Sequence, residues 1–177
     1  LYRRAMVRCE FAILFVLCAV AHVVQAGELY QALDTQDDIW ILRRSYRLDH
    51  TCVRARKVSL TTSNYTFQQS YKDAQGNEVQ HTLYAKLHDG ENPPYMTVSQ
   101  KQGSKSGMKY TLELWDSNDK CGVLTLTLGG KKQCEIHVWD GHVEGQSTQC
   151  DEKYSEICSG SSHQVYFPTC KQAGKDN

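Results

Sequence analysis

Residues 134–139 read Cys134-Glu135-Ile136-His137-Val138-Trp139, and the alternation in this hexapeptide decides the fold. In an extended strand successive side chains point to opposite faces. One row is then Cys134, Ile136 and Val138; the other is Glu135, His137 and Trp139. If Cys134 is cross-linked to a helix packed outside the sheet, its row faces outward beneath that helix. The second row then faces the interior. A carboxylate, an imidazole and an indole on one inner face make an odd structural core but a good lining for a cavity that holds a small cationic or polar ligand.

Working outward, the segments before this strand share its character. Stretches of β-forming residues at 41–48, 52–61, 64–72, 78–87, 94–100, 108–116, 121–128 and 132–139 predict eight strands. Turn chemistry separates several of them: Gln75-Gly76-Asn77, Asp89-Gly90 with Pro93-Pro94, Gly103 to Gly107, and Gly129-Gly130. Eight consecutive strands with hairpin-length links predict an all-β, up-and-down antiparallel barrel, whose interior admits one small ligand. The acidic stretch Asp34 to Asp38 suits the start of a short helix leading into Trp40. The pattern changes after Asp140: 147–158 predicts a helix with Cys150, Tyr154, Ile157 and Cys158 on one face, capped by Ser147 or Thr148. That face is expected against the outside of the barrel wall.

Residues 1–26 have the three parts of a secretory signal peptide: Arg3, Arg4 and Arg8, an apolar run from Phe11 to Val24, and small residues at Val24-Gln25-Ala26. The apolar run of about 14 residues falls short of the roughly 20 needed to span a bilayer. The expectation is a secreted, extracellular protein whose residues 27–177 form a single domain, with no membrane partner. Six cysteines remain after cleavage, which in an exported chain reads as three disulfides, with fifteen pairings open. An even count makes a monomer the simplest case. Cys134 and His137 have ligand-like spacing for zinc, but no second pair of that kind exists and an oxidising compartment favours disulfides, so no metal is expected. Asn64-Tyr65-Thr66 is a glycosylation sequon.

Twenty basic residues balance twenty acidic ones, and the leader removes more basic than acidic charge. Such neutrality argues against a nucleic-acid partner, which calls for a basic surplus. Neither HExxH, GxSxG nor a phosphate-cradling glycine loop is present, and the mature cysteines are accounted for by disulfides. The reading is of a non-enzymatic protein without a cofactor.

Asp38-Ile39-Trp40, Ser45-Tyr46-Arg47-Leu48-Asp49 before Cys52, Asn118-Asp119-Lys120-Cys121 and the 134–139 hexapeptide, with Cys150 and Cys170, resemble the tick salivary lipocalins of the histamine-binding group over nearly all of 27–177. The resemblance implies a lipocalin (calycin) barrel with a C-terminal helix. It implies the pairs Cys52–Cys170, Cys121–Cys150 and Cys134–Cys158. It implies sequestration of a host inflammatory mediator: a biogenic amine (histamine or serotonin), or alternatively a leukotriene or fatty acid. Tyr46, Asp49, Tyr110 and Glu135 match ligand contacts of the amine-binding group, and His137 and Trp139 join them on the inner row.

The chain also departs from the pattern. Gly122 follows Cys121 where the amine-binding group has an acidic residue, Leu112 replaces another carboxylate, and Glu135 is followed by Ile136-His137. Arg54 and Arg56 alternate onto one face of the second strand and would suit a carboxylate ligand if that face were the lumen. A third reading is inhibition of a host protein through loops such as Gly103 to Gly107.

Overall fold

The computed structural model describes residues 27–158 and 160–174; the signal-peptide reading of 1–26 lies outside them. The elements run α1 (Glu28–Leu33), β1 (Ile39–Arg44), β2 (Thr51–Leu60), β3 (Asn64–Lys72), β4 (Glu78–His88), β5 (Tyr95–Ser99), β6 (Met108–Asp116), β7 (Cys121–Leu128), β8 (Lys131–Trp139), α2 (Thr148–Ile157) and β9 (His163–Gln164). Strands β2 to β8 pair antiparallel in sequence order, and β1 closes the sheet by pairing with both β8 and β2. This is the closed eight-stranded antiparallel barrel that the strand count predicts. Short β9 pairs with β1 through Arg43–Gln164 and Arg44–His163.

Closure produces two apolar layers. Inside, Ile39, Phe67, Leu83, Leu87, Met96 and Leu124 pack with Leu29 and Leu33 of α1. Outside, α2 covers Cys121, Val123, Cys134, Ile136 and Val138. The row Cys134, Ile136, Val138 therefore faces α2, and Glu135 and His137 face the interior. Disulfides join Cys121 to Cys150 and Cys134 to Cys158, fastening the two ends of α2 to β7 and β8. A third bond, Cys52–Cys170, ties the C-terminal segment to β2.

Two local expectations are corrected. The first helix does not occupy 34–38; it lies at Glu28–Leu33, with Asp34 at its C-terminal end. Its position is set from a distance. The Asp89 carboxylate in the β4–β5 loop accepts the Leu29 and Tyr30 amides at 3.0 and 2.9 Å, a capping role usually taken by a neighbour in sequence. Gly27 leaves room for it: a Cβ there would lie 2.3 Å from that carboxylate and push it out of place. The first strand, expected over 41–48, spans Ile39–Arg44. Residues 45–50 leave the ladder as a loop at the open end, where buried Arg44 donates to the Leu48 and His50 carbonyls at 2.7 and 2.9 Å. The expected 147–158 helix forms as Thr148–Ile157, with Ser147 in the N-cap position but making no side-chain cap.

Two outcomes follow for stability. Asp89→Ala strips α1 of its cap and should cost about 1 kcal/mol, read as a lower urea midpoint. Loss of Cys52–Cys170, which closes a 118-residue separation, should cost on the order of 4–5 kcal/mol in the chain-entropy model, measured on the double Cys→Ala variant.

A candidate ligand-binding cavity

Glu135 sits one strand away from Arg44, its register partner across the β8–β1 seam. Both side chains are almost wholly buried, at 2 and 3% exposure, and both line a cavity of about 180 Å³ inside the barrel. A buried anion or cation is costly unless partnered, and most of the polar geometry here supplies those partners. The Tyr46 hydroxyl donates to Glu135 Oε1. His137 Nε2 lies 2.6 Å from Oε2, donating to the ionised carboxylate. The Arg44 guanidinium lies 5.2 Å from the Tyr46 ring centre, and its Nε has no hydrogen-bond partner among the described residues.

These contacts set the charge state. Burial alone would raise the Glu135 pKa, but the hydrogen bond and charge of His137, then Tyr46 and Arg44, outweigh it. The carboxyl is held below the ordinary glutamate value of 4.5. Burial, reinforced by the Glu135 charge, pushes the Tyr46 and Tyr110 hydroxyls well above the usual phenol range. At neutral pH the cavity thus has an ionised carboxylate, a guanidinium and two neutral phenols on its walls.

Below this polar zone the lining is apolar and aromatic: Phe67 stacked on Tyr65 with ring centres 4.7 Å apart, with Leu83 and Met96. Towards the open end, His50 stacks on Tyr71 at 4.0 Å, and both line the cavity. The Tyr65 hydroxyl is buried and has no hydrogen-bond partner among the described residues.

Of the six residues singled out from sequence, Tyr46, Tyr110, Glu135 and His137 come together on this cavity. Trp139 points inward but lower. Its indole donates to the Ala32 carbonyl at 2.9 Å and lies 5.5 Å from Trp115, in a narrow space of about 20 Å³ lined by Leu112, Gly122 and Leu124. The two positions where carboxylates are replaced thus fall in a small apolar floor. Asp49 is exposed in the loop before β2 and is not on the cavity wall, although its neighbours Leu48 and His50 are. Arg54 touches the lining but pairs with Glu78 at 2.6 Å and Asp38 at 3.5 Å, and exposed Arg56 pairs with Asp38 at 2.7 Å. Asn64 is exposed at the start of β3. No cluster of potential metal ligands exists among the described residues.

Sequence reading missed Arg44, His50, Phe67 and Tyr71. Arg44 carried no local signal, because its partner Glu135 lies across the seam that joins the first strand to the last.

A family profile described as "Tick histamine binding protein" matches residues 22–172. Among curated proteins none matches the chain. Among solved structures, Japanin from Rhipicephalus appendiculatus bound to cholesterol aligns with TM-score 0.58 and 16% identity, covering 77% of this chain and 95% of that one. H1 crustacyanin from the lobster Homarus americanus aligns with TM-score 0.50 and 12% identity, covering 77% and 80%. At these identities the likeness shows the fold.

The lowered Glu135 pKa fixes a sign. A carboxyl whose folded pKa is depressed stabilises the fold above its unfolded pKa, and that contribution is lost as pH falls through the folded value. The stability advantage of the wild type over Glu135→Gln should therefore be constant near neutrality and shrink below about pH 4.5. Denaturant midpoints measured from pH 7 downward check this; parallel curves would contradict the ionised, partnered carboxylate.

Proposed function

The chain belongs to the tick histamine-binding protein family, a family of small-molecule-binding lipocalins, and from that premise we propose that its barrel captures a small aromatic amine of the host, histamine or serotonin, without chemical conversion. The observation that carries this reading is the fully buried, ionised Glu135 on the cavity wall. A carboxylate has about four lone-pair sites, and Tyr46 and His137 occupy two. An ammonium group takes the remaining sites and gains charge-assisted hydrogen bonds in a medium that screens poorly. The faces of Tyr46 and Tyr110 add cation–π attraction of about 0.5–2 kcal/mol each.

Size supports the same class. An apolar cavity of about 150 Å³ accepts benzene, so a cavity of about 180 Å³ suits one ring system with a short amine arm. Phe67, Tyr65, Leu83 and Met96 surround the ring, and Glu135 and Tyr46 receive the arm. Three disulfides fit an oxidising, extracellular setting, where such a trap works as a secreted monomer that lowers the free mediator concentration and so blunts host defence.

One observation favours a second reading. Arg44 is a buried cation on the same cavity whose Nε has no hydrogen-bond partner among the described residues, and a carboxylate ligand such as a leukotriene or fatty acid would complete it. A long acyl chain exceeds the enclosed space, so its tail would have to leave past His50 and Tyr71.

Calorimetric titration of the oxidatively folded protein with histamine, serotonin and leukotriene B4 separates the readings. Amine binding should weaken about 10- to 100-fold in Glu135→Gln, the worth of a hydrogen bond to a charged group. Binding of leukotriene alone, abolished by Arg44→Gln and indifferent to Glu135→Gln, would replace the amine by the carboxylate.

A further inference from the structure

The outside of the barrel has a separate electrostatic feature. No Asp or Glu occurs between Asn92 and Leu112 or between Lys120 and Cys134, whereas these stretches contain Lys101, Lys105, Lys109, Lys120, Lys131 and Lys132. All but Lys120 lie on β6, β8 or the loops at the open end, and these five are exposed. Sheet register orders the lysines further. Lys86 of β4 pairs with Thr97 of β5, Thr97 pairs with Lys109 of β6, and Thr127 of β7 pairs with Lys132 of β8. Their inward neighbours Ala85, Leu87, Met96 and Leu126 are buried, so these side chains project outward.

Lysine and threonine thus alternate from strand to strand across the wall. With strands about 4.8 Å apart, the cations recur at roughly 10 Å intervals. Two grooves flank this row. One, of about 650 Å³, runs along β4, β5 and the overhanging 102–105 loop, where Tyr84, Thr97, Ser99, Gln102 and Lys105 offer polar groups beside Lys86. The other, of about 500 Å³, lies between Lys109 and Lys132 and is floored by Thr111, Thr125 and Thr127. Lys109 is held over the Tyr95 ring at 3.8 Å. Glu113, 3.1 Å from Lys132 and hydrogen-bonded to Thr125, is the carboxylate on this face. No ion pair engages Lys86, Lys101, Lys105, Lys109 or Lys131 among the described residues.

We propose that this face binds a linear sulfated polysaccharide of the glycosaminoglycan class, so that the lipocalin is retained on an extracellular matrix while its cavity stays open. Charge complementarity selects a polyanion, and the shape selects among polyanions. The cations form a line around a curved wall with polar grooves beside it, which matches a chain of regularly spaced anions and hydroxyls. A bilayer would instead be met by a flat patch with an apolar wedge, and the exposed large apolar side chain at this end of β6 is Met108 alone, at 36%. Because the protein has no net positive charge, the attraction belongs to this face and not to the molecule as a whole.

The test uses the full secreted chain after enzymatic removal of any sugar at Asn64. It is titrated at physiological salt with a heparin-derived octasaccharide, with phosphatidylserine-containing vesicles in a parallel arm. The wild type should bind the octasaccharide and not the vesicles. Counterion release from a linear polyanion contributes about 0.7–0.9 per neutralised charge to the slope of log affinity against log salt. Lys86→Gln/Lys105→Gln/Lys109→Gln should therefore reduce that slope by about two and the affinity by tenfold or more, while leaving cavity-ligand titrations unchanged. The control Lys57→Gln/Lys120→Gln/Lys171→Gln removes the same charge elsewhere. An equal loss in both triples, vesicle binding in place of oligosaccharide binding, or no binding at physiological salt would each overturn the proposal.

Discussion

A strand cannot turn one row of side chains outward without turning the other inward, and in β8 the bond from Cys134 to Cys158 settles which is which. Ile136 and Val138 follow Cys134 under α2 and are completely buried there. Glu135 and His137 are consequently driven into the barrel, where neither would go on hydropathy alone. The polar character of the cavity depends on that enforced inward facing. A shift of one residue in the pairing of β8 would place the carboxylate under the helix and the isoleucine in the lumen.

Once Glu135 is inside, the rest of the upper barrel answers it. Tyr46, held at the end of β1 by the turn that Arg44 grips, donates to one oxygen, and His137 from the same strand donates to the other. Arg44 contributes a compensating charge from the paired strand. These groups hold the carboxylate ionised without a ligand, so it is not a bare charge awaiting a counterion. The cavity couples a hydrogen-bonded carboxylate, with a guanidinium charge nearby, to an aromatic pocket. Its selectivity then depends on how a ligand competes with Tyr46 and His137 for the carboxylate oxygens, more than on the presence of an acid.

Alternation along one strand was legible because its period is two and needs only adjacent residues. It placed Cys134, Ile136 and Val138 on one side and Glu135 and His137 on the other. Resemblance alone points to Tyr46 and Tyr110, and both lie on the cavity; it points equally to Asp49, which lies outside it. The helix expected at 34–38 was misplaced because its cap, Asp89, is some sixty residues away, and local capping rules have no access to such a partner. Arg54 and Arg56 share one face, as their spacing suggests, but Asp38 and Glu78 draw them into ion pairs.

The sequence by itself determined the barrel, its eight strands, the external helix and the two-faced character of β8, because each follows from short-range periodicity and turn chemistry. Tertiary structure alone decided that Arg44 faces Glu135, that Leu112 and Gly122 close an apolar floor, and that lysines from three strands align across one wall. Those relations arise between strands distant in the chain. Their register is fixed by barrel closure and hydrogen-bonded pairing, which no local pattern encodes.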